Sequence, residues 1–349
     1  MGSIKVKLSN PGSRPGTVIK PDTLAVTRHG DMRQFSSTDD EQEASRLLCI
    51  ATELSKQFRQ SSQLADLERA VSLFRESRAL LPIHHPNWWS GSNNLANALL
   101  TRFGQLGEHE DLDEGILLHR EALDLRPTPY PLRSTTLHNL GSALHRQFQR
   151  SGQREDLDEA ISFHRAALEL FPAFHPDRSS SLNGLGNALC SRFAQLSQRE
   201  DLDEAMSFYQ EALELQPAPH PDRSMSLHNL SNVLYTRFKQ SGQLEDLNEA
   251  ISLCREALEQ MPTSHLGRFC TLNNVADALH TRFKQSGQRE DLDEAISLYR
   301  AALDLRPALD PARSNTLNTL ASTLHSRFKQ AGQRKDLDEA ILLENEKNT

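Results

Sequence analysis

The chain has 349 residues, 37% of them hydrophobic but only 6% aromatic, and carries a net charge of −8. That composition lacks the large side chains of one thick core, and an acidic chain with no basic face is not a general nucleic-acid binder. No apolar run approaches the roughly 18 residues of a membrane span. The four cysteines lack CxxC spacing, which excludes a zinc site or disulfide framework of the usual kind. The expectation is a cytoplasmic chain without metal, cofactor or membrane contact.

The first 38 residues hold three Pro, four Gly and six Lys/Arg against two Asp, with no helical period. They read as a flexible tail. From residue 39 to 349 the chain is one array. Asp66, Asp111, Asp156, Asp201, Asp246, Asp291 and Asp336 fall 45 residues apart, and so do Phe58, Phe103, Phe148, Phe193, Phe238, Phe283 and Phe328. A fixed step without insertions marks stacked structural units, about seven of them, the last cut short.

Within one unit, Leu137, Leu140, Leu144 and Phe148 make a single helical stripe, predicting a helix A from about Ser134 to Arg150. Ser151-Gly152-Gln153 turns the chain, because glycine tolerates the left-handed conformation that closes helices. Leu157, Ile161, Ala167 and Leu168 form the face of a helix B that runs to about Leu170, and Pro172 stops it. The recurring Asp-Leu-Asp-Glu-Ala stands where helix B begins. It is expected to cap that helix, Asp156 accepting from first-turn N–H groups and Glu159 completing a capping box, rather than to bind metal. No β alternation occurs.

In the unit from Leu182 to Pro217, the residues Leu182, Leu185-Gly186, Leu189, Ala205, Tyr209, Ala212 and Pro217 resemble the tetratricopeptide (TPR) pattern. The stretch between Gly186 and Ala205 is longer than in the usual repeat, which adds nearly two turns to helix A and keeps its face in register. This long form resembles the arrays that precede a caspase-like CHAT domain in some fungal proteins, and more loosely those of NLR-type receptors. The resemblance implies an all-α, right-handed α-solenoid whose A helices line a concave groove.

On that groove the sequence offers a polar ladder. One row is Asn94, Asn139, Gly184, Asn229, Asn274 and Thr319; the row before it is Asn93, His138, Asn183, His228, Asn273 and Asn318. One turn on come Asn187 and Asn232, with His145, His280 and His325 beyond. An amide offers donor and acceptor together and matches a peptide bond. Asn94, Asn139, Asn229 and Asn274 resemble the asparagine ladder of the O-GlcNAc transferase solenoid. Either these amides grip an extended partner or they bond neighbouring helices. His138 and His145 are expected as groove residues rather than a metal chelate.

Arg133, Arg178, Arg223, Arg268 and Arg313 open successive A helices, as salt links to helix-B carboxylates or as a ring gripping phosphate. Trp88-Trp89 interrupts this series, packed against the incoming segment or exposed as an anchor. The expected function is a scaffold that binds a protein or peptide partner in the groove and catalyses nothing. An uncapped last face is open to homodimerisation. The alternative is the sensing arm of a CHAT or NLR-type protein without its effector.

Overall fold

A computed structural model describes residues 37–82, 85–124, 133–263, 265, 267–307 and 310–346. The expected tail through residue 36 lies outside the described residues, as do residues 347–349, and the first helix opens at Ser37, two residues before the expected boundary. The described residues form seven antiparallel helix pairs and no strand. These are α1 (Ser37–Ser61) with α2 (Leu64–Ala79), α3 (Pro86–Leu106) with α4 (His109–Asp124), α5 (Arg133–Ser151) with α6 (Arg154–Leu170), and α7 (Pro176–Leu196) with α8 (Arg199–Glu214). Then follow α9 (Arg223–Ser241) with α10 (Leu244–Gln260), α11 (Arg268–Ser286) with α12 (Arg289–Asp304), and α13 (Arg313–Ala331) with α14 (Arg334–Glu346).

The 45-residue step is explained turn by turn. Each A helix ends three residues past its Phe, whose carbonyl accepts a hydrogen bond from the N–H of a residue in the left-handed region four positions on, as from Gly152 to Phe148 at 2.7 Å. Glycine fills that position at 107, 152, 242, 287 and 332, while Ser62 and Ser197 adopt it with φ of 56° and 54°. The serine before the glycine then accepts from the Gln N–H that follows, Ser151 Oγ from Gln153 at 3.1 Å. Two stripes of Leu and Ala close on each other across the pair: Leu137, Leu140 and Leu144 from α5 meet Ala160 and Ala167 from α6, all buried, and Phe148 packs with Leu157.

The Asp of the repeated motif does not cap helix B. In α6, α8, α10 and α12 the N-cap residue is Gln153, Gln198, Gln243 or Gln288, without a side-chain capping bond, and the Asp stands third in the helix. Its carboxylate instead receives the guanidinium of the Arg just before the helix-A Phe. Arg237 Nε and Nη2 donate to Asp246 at 2.8 and 2.7 Å, and Arg102–Asp111, Arg192–Asp201, Arg282–Asp291 and Arg327–Asp336 repeat the pair. The two exceptions carry Gln57 and Gln147 at the Arg position, and there Ser61 or Ser151 donates to the Asp instead. The acidic first turn still suits the positive end of the helix.

The backbones of successive A helices approach one another along the array, α5 and α7 most extensively, whereas successive B helices stand further apart and are bridged by long side chains such as Arg165 with Glu204. The array therefore bends with its A helices on the inside. That geometry puts the polar ladder on a concave groove.

Candidate binding groove

The row one residue before the ladder is a set of struts. Asn183 Nδ2 donates to Ser226 Oγ at 2.8 Å, Thr316 Oγ1 donates to Asn273 Oδ1 at 2.8 Å, and Thr136 Oγ1 reaches Asn93 Oδ1 at 3.4 Å. His228 Nδ1 lies 2.9 Å from Thr271 Oγ1. Each bond joins one A helix to the next, so Asn93, Asn183, His228 and Asn273 are committed to neighbours and register the stack. His138 is the exception. Its expected partner Ser181 makes no bond, and neither does His138 Nδ1.

The ladder row divides. Asn274 donates to Asn232 at 2.5 Å, and Asn232 in turn lies 3.1 Å from His228 Nε2. Asn187 accepts from the buried Tyr209 hydroxyl at 2.7 Å. Among the described residues Asn94 and Asn139 make no side-chain hydrogen bond, and Asn229 Nδ2 is buried without a partner. Asn94 and Asn97 border a cavity of about 140 Å³, and Asn187, Asn229 and Asn232 border one of about 240 Å³ beside Cys190 and Tyr209. A third, about 640 Å³, lies between α5 and α7 against His138, His145, Arg146, His164, Asn183 and Asn187.

Burial fixes the protonation of this wall. Desolvation pushes His138 and His145 down to about 4, and His164 well below its ordinary value, so all three imidazoles are neutral at physiological pH. The same cause raises the thiols of Cys190 and Cys254 to about 11, which keeps them unreactive. No group of three or more His, Cys, Asp or Glu among the described residues could hold a metal ion.

His164 and Arg146 escaped the sequence reading. His164 belongs to helix B, where the neighbouring units carry His119 or Tyr209, so its position resembled an ordinary core site. Its ring reaches the groove because both residues above it are glycines: a Cβ at Gly184 would come within 2.5 Å and one at Gly141 within 2.9 Å. The Gly184 that interrupts the asparagine row is the signal that could have found it.

The arginines opening the A helices are spent internally and form no phosphate ring. Arg178 donates to the Leu168 carbonyl at 2.9 Å and to Glu211 at 2.7 Å, Arg223 repeats this with Leu213 and Glu256, and Arg268 and Arg313 bond the last carbonyls of α10 and α12. They satisfy the orphan acceptors at helix-B ends. Trp88 is packed, 4% exposed against Ala44 and Leu81, with the Arg78 guanidinium 4.5 Å above its ring. It closes the first two units together and is not an exposed anchor.

Helix pairs stacked at a constant step around an inner polar groove define a helical repeat solenoid. Tetratricopeptide-repeat models match residues 133–177, 223–265 and 196–219. No curated protein matches the chain in sequence. Similar solved structures include the C-terminal part of a TPR repeat-containing protein from Cytophaga hutchinsonii, 13% identical over 86% of this chain and 93% of that one, TM-score 0.51. The APC/C hetero-tetramer Cut9-Hcn1 is 17% identical over 82% of this chain and 47% of that one, TM-score 0.53. The chain carries tetratricopeptide repeats at these positions and has an all-α repeat solenoid fold. The repeats support a protein-interaction scaffold, a role that in such proteins is generally non-enzymatic. No described helix is long and apolar enough to cross a membrane.

Proposed function

We propose that the chain is a scaffold that holds an extended segment of a partner protein along its concave groove. The observation that carries this reading is the set of amides and imidazoles on the inner face that have no hydrogen-bond partner among the described residues: Asn94, Asn139, the Nδ2 of Asn229, the Nδ1 of His138 and both ring nitrogens of His164. Polar groups left unpaired on a sheltered surface are the groups that a partner's main chain can satisfy. The row of struts holds successive A helices at constant spacing, so these groups are fixed in place before a ligand arrives. Four unpaired cysteines, Cys49, Cys190, Cys254 and Cys270, fit a reducing cytoplasmic setting.

The test is retention of a degenerate octapeptide library by the wild type and by an Asn94, Asn139, Asn229→Ala variant of unchanged helical circular dichroism. Retention by the wild type and its loss in the folded variant is the expected result; equal retention would move binding off the ladder. A second reading, the sensing arm of a larger defence protein, is favoured by the 45-residue unit alone. A transcript continuing in frame into a protease domain would support it.

A further inference from the structure

The stretch of groove between α5 and α7 differs from the rest of the array in what faces it. At the ladder position Gly184 replaces an amide, and at the strut position His138 replaces the Asn of its neighbours. One residue past His145 stands Arg146, where the later units have Ser191, Thr236, Thr281 and Ser326. Between the two glycines comes the His164 ring, 0% exposed, its centroid 5.3 Å from that of His138. Neither nitrogen of His164 and not the Nδ1 of His138 has a hydrogen-bond partner, and both rings line the cavity of about 640 Å³.

Buried, unpaired ring nitrogens aimed into a roomy cavity are groups waiting for an occupant. Arg146 adds the charge. Its side chain is exposed on the cavity wall, Nη1 donates to the Leu100 carbonyl at 3.1 Å, and no carboxylate pairs with it among the described residues. The other ionisable groups near the cavity are few. His145 is bonded to Ser191 at 2.8 Å, Asp177 bears on His138 from α7, Asp222 stands on the rim, and His119 lies behind on α4.

We propose that this cavity is a subsite for a carboxylate side chain of the bound segment, held by Arg146 and by the imidazoles of His138 and His164, and that it takes up a proton from solvent as it fills. The proposal rests on the groove reading and gives it a specificity. A neutral imidazole offers one donor; protonated, it offers two, so the proton converts an acceptor nitrogen facing the carboxylate into a second donor. No bond to carbon forms or breaks. In the free site burial keeps these two rings unprotonated, and the carboxylate supplies the negative charge that reverses this preference.

The linkage has a definite size. If the carboxylate restores one ring from about 4 to the ordinary value of about 6.5, affinity rises about tenfold between pH 7.5 and 5.5. A glutamate side chain remains ionised over that interval. The probe is a degenerate octapeptide library with its central residue fixed as Glu, Gln or Lys, measured by retention at both pH values, with imidazole ¹⁵N shifts reporting the site. The expected result is preferential retention of the Glu library, about tenfold stronger at pH 5.5, with the His138 and His164 signals moving. Arg146→Ala should remove the Glu preference. His138→Asn, which installs the residue of neighbouring units, should flatten the pH dependence while circular dichroism stays unchanged. Equal retention of Glu and Gln libraries, or a pH-independent Glu preference, overturns the subsite and leaves the groove reading standing. No retention of any library, with unmoved imidazole signals, overturns both.

Discussion

Replacing Arg237 by Gln copies what the third unit already has at Gln147, and the structure sets its cost. Asp246 keeps 5% of its side chain exposed and receives two charge-assisted hydrogen bonds from Arg237, whose own side chain is 20% exposed. The bond to Asp246 holds the guanidinium above its ordinary value. Removing one member of a fully buried pair costs about 3–5 kcal/mol, because the remaining charge is stranded. Partial exposure of the arginine lets water reach the site, so Arg237→Gln is expected to lose about 2–3 kcal/mol in urea unfolding followed by circular dichroism. The double variant Arg237→Gln, Asp246→Asn removes both charges and should recover most of the loss, ending within about 1 kcal/mol of the wild type. A double variant as unstable as the sum of the two singles would refute the stranded-charge argument. The opposite change, Gln147→Arg, should stabilise by about 1 kcal/mol and bring down Asp156, whose carboxyl burial now holds above its ordinary value.

Four further outcomes follow from particular residues. His119 is fully buried with both nitrogens unbonded, and burial lowers it to about 3. Below pH 6.5 the unfolded chain therefore binds a proton that the folded chain refuses, and stability present at neutral pH is lost as pH falls, by up to about 1.4 kcal/mol per unit. The fall in urea midpoint from pH 7 to 5 should be smaller in His119→Phe, which installs the residue found at Phe74, while the other buried imidazoles keep their share of it. Ser197 takes a left-handed conformation that glycine adopts in five other units, so Ser197→Gly should gain up to about 1 kcal/mol, read as a raised urea midpoint. Asn183→Ala strips Ser226 of its inter-unit donor and should cost about 1–2 kcal/mol. Asn94→Ala, which breaks no bond among the described residues, should fall within about 0.5 kcal/mol of the wild type.

The helix pairs were legible because an unbroken period writes the same turn seven times, and the predicted bounds of helices A and B fall within a residue or two of α5 and the end of α6. The role of the repeated Asp was not. Its location at a helix start fits capping equally well, and its true partner sits nine residues upstream on another helix, so only the closed hairpin reveals the pair. A clue was present in the departures: where Arg gives way to Gln57 or Gln147, the Asp persists but changes its partner. Which amides serve as struts was left open for a related reason, since their partners lie 43 residues on, in the next unit. His164 was hidden because its exposure to the groove depends on two glycines belonging to two different helices.

The bonds that recur between units join residues at constant separations: 43 for the struts, 39 for the Arg–Glu pairs such as Arg165 with Glu204, and 46 for Tyr235 with Thr281 and His145 with Ser191. Excising or duplicating 45 residues anywhere inside the array leaves all those separations intact. Unequal crossing-over between such similar segments would thus yield chains that differ in length yet retain matched junctions. The gene can change the reach of its product without having to reinvent an interface, and variation in copy number becomes a route to new partners.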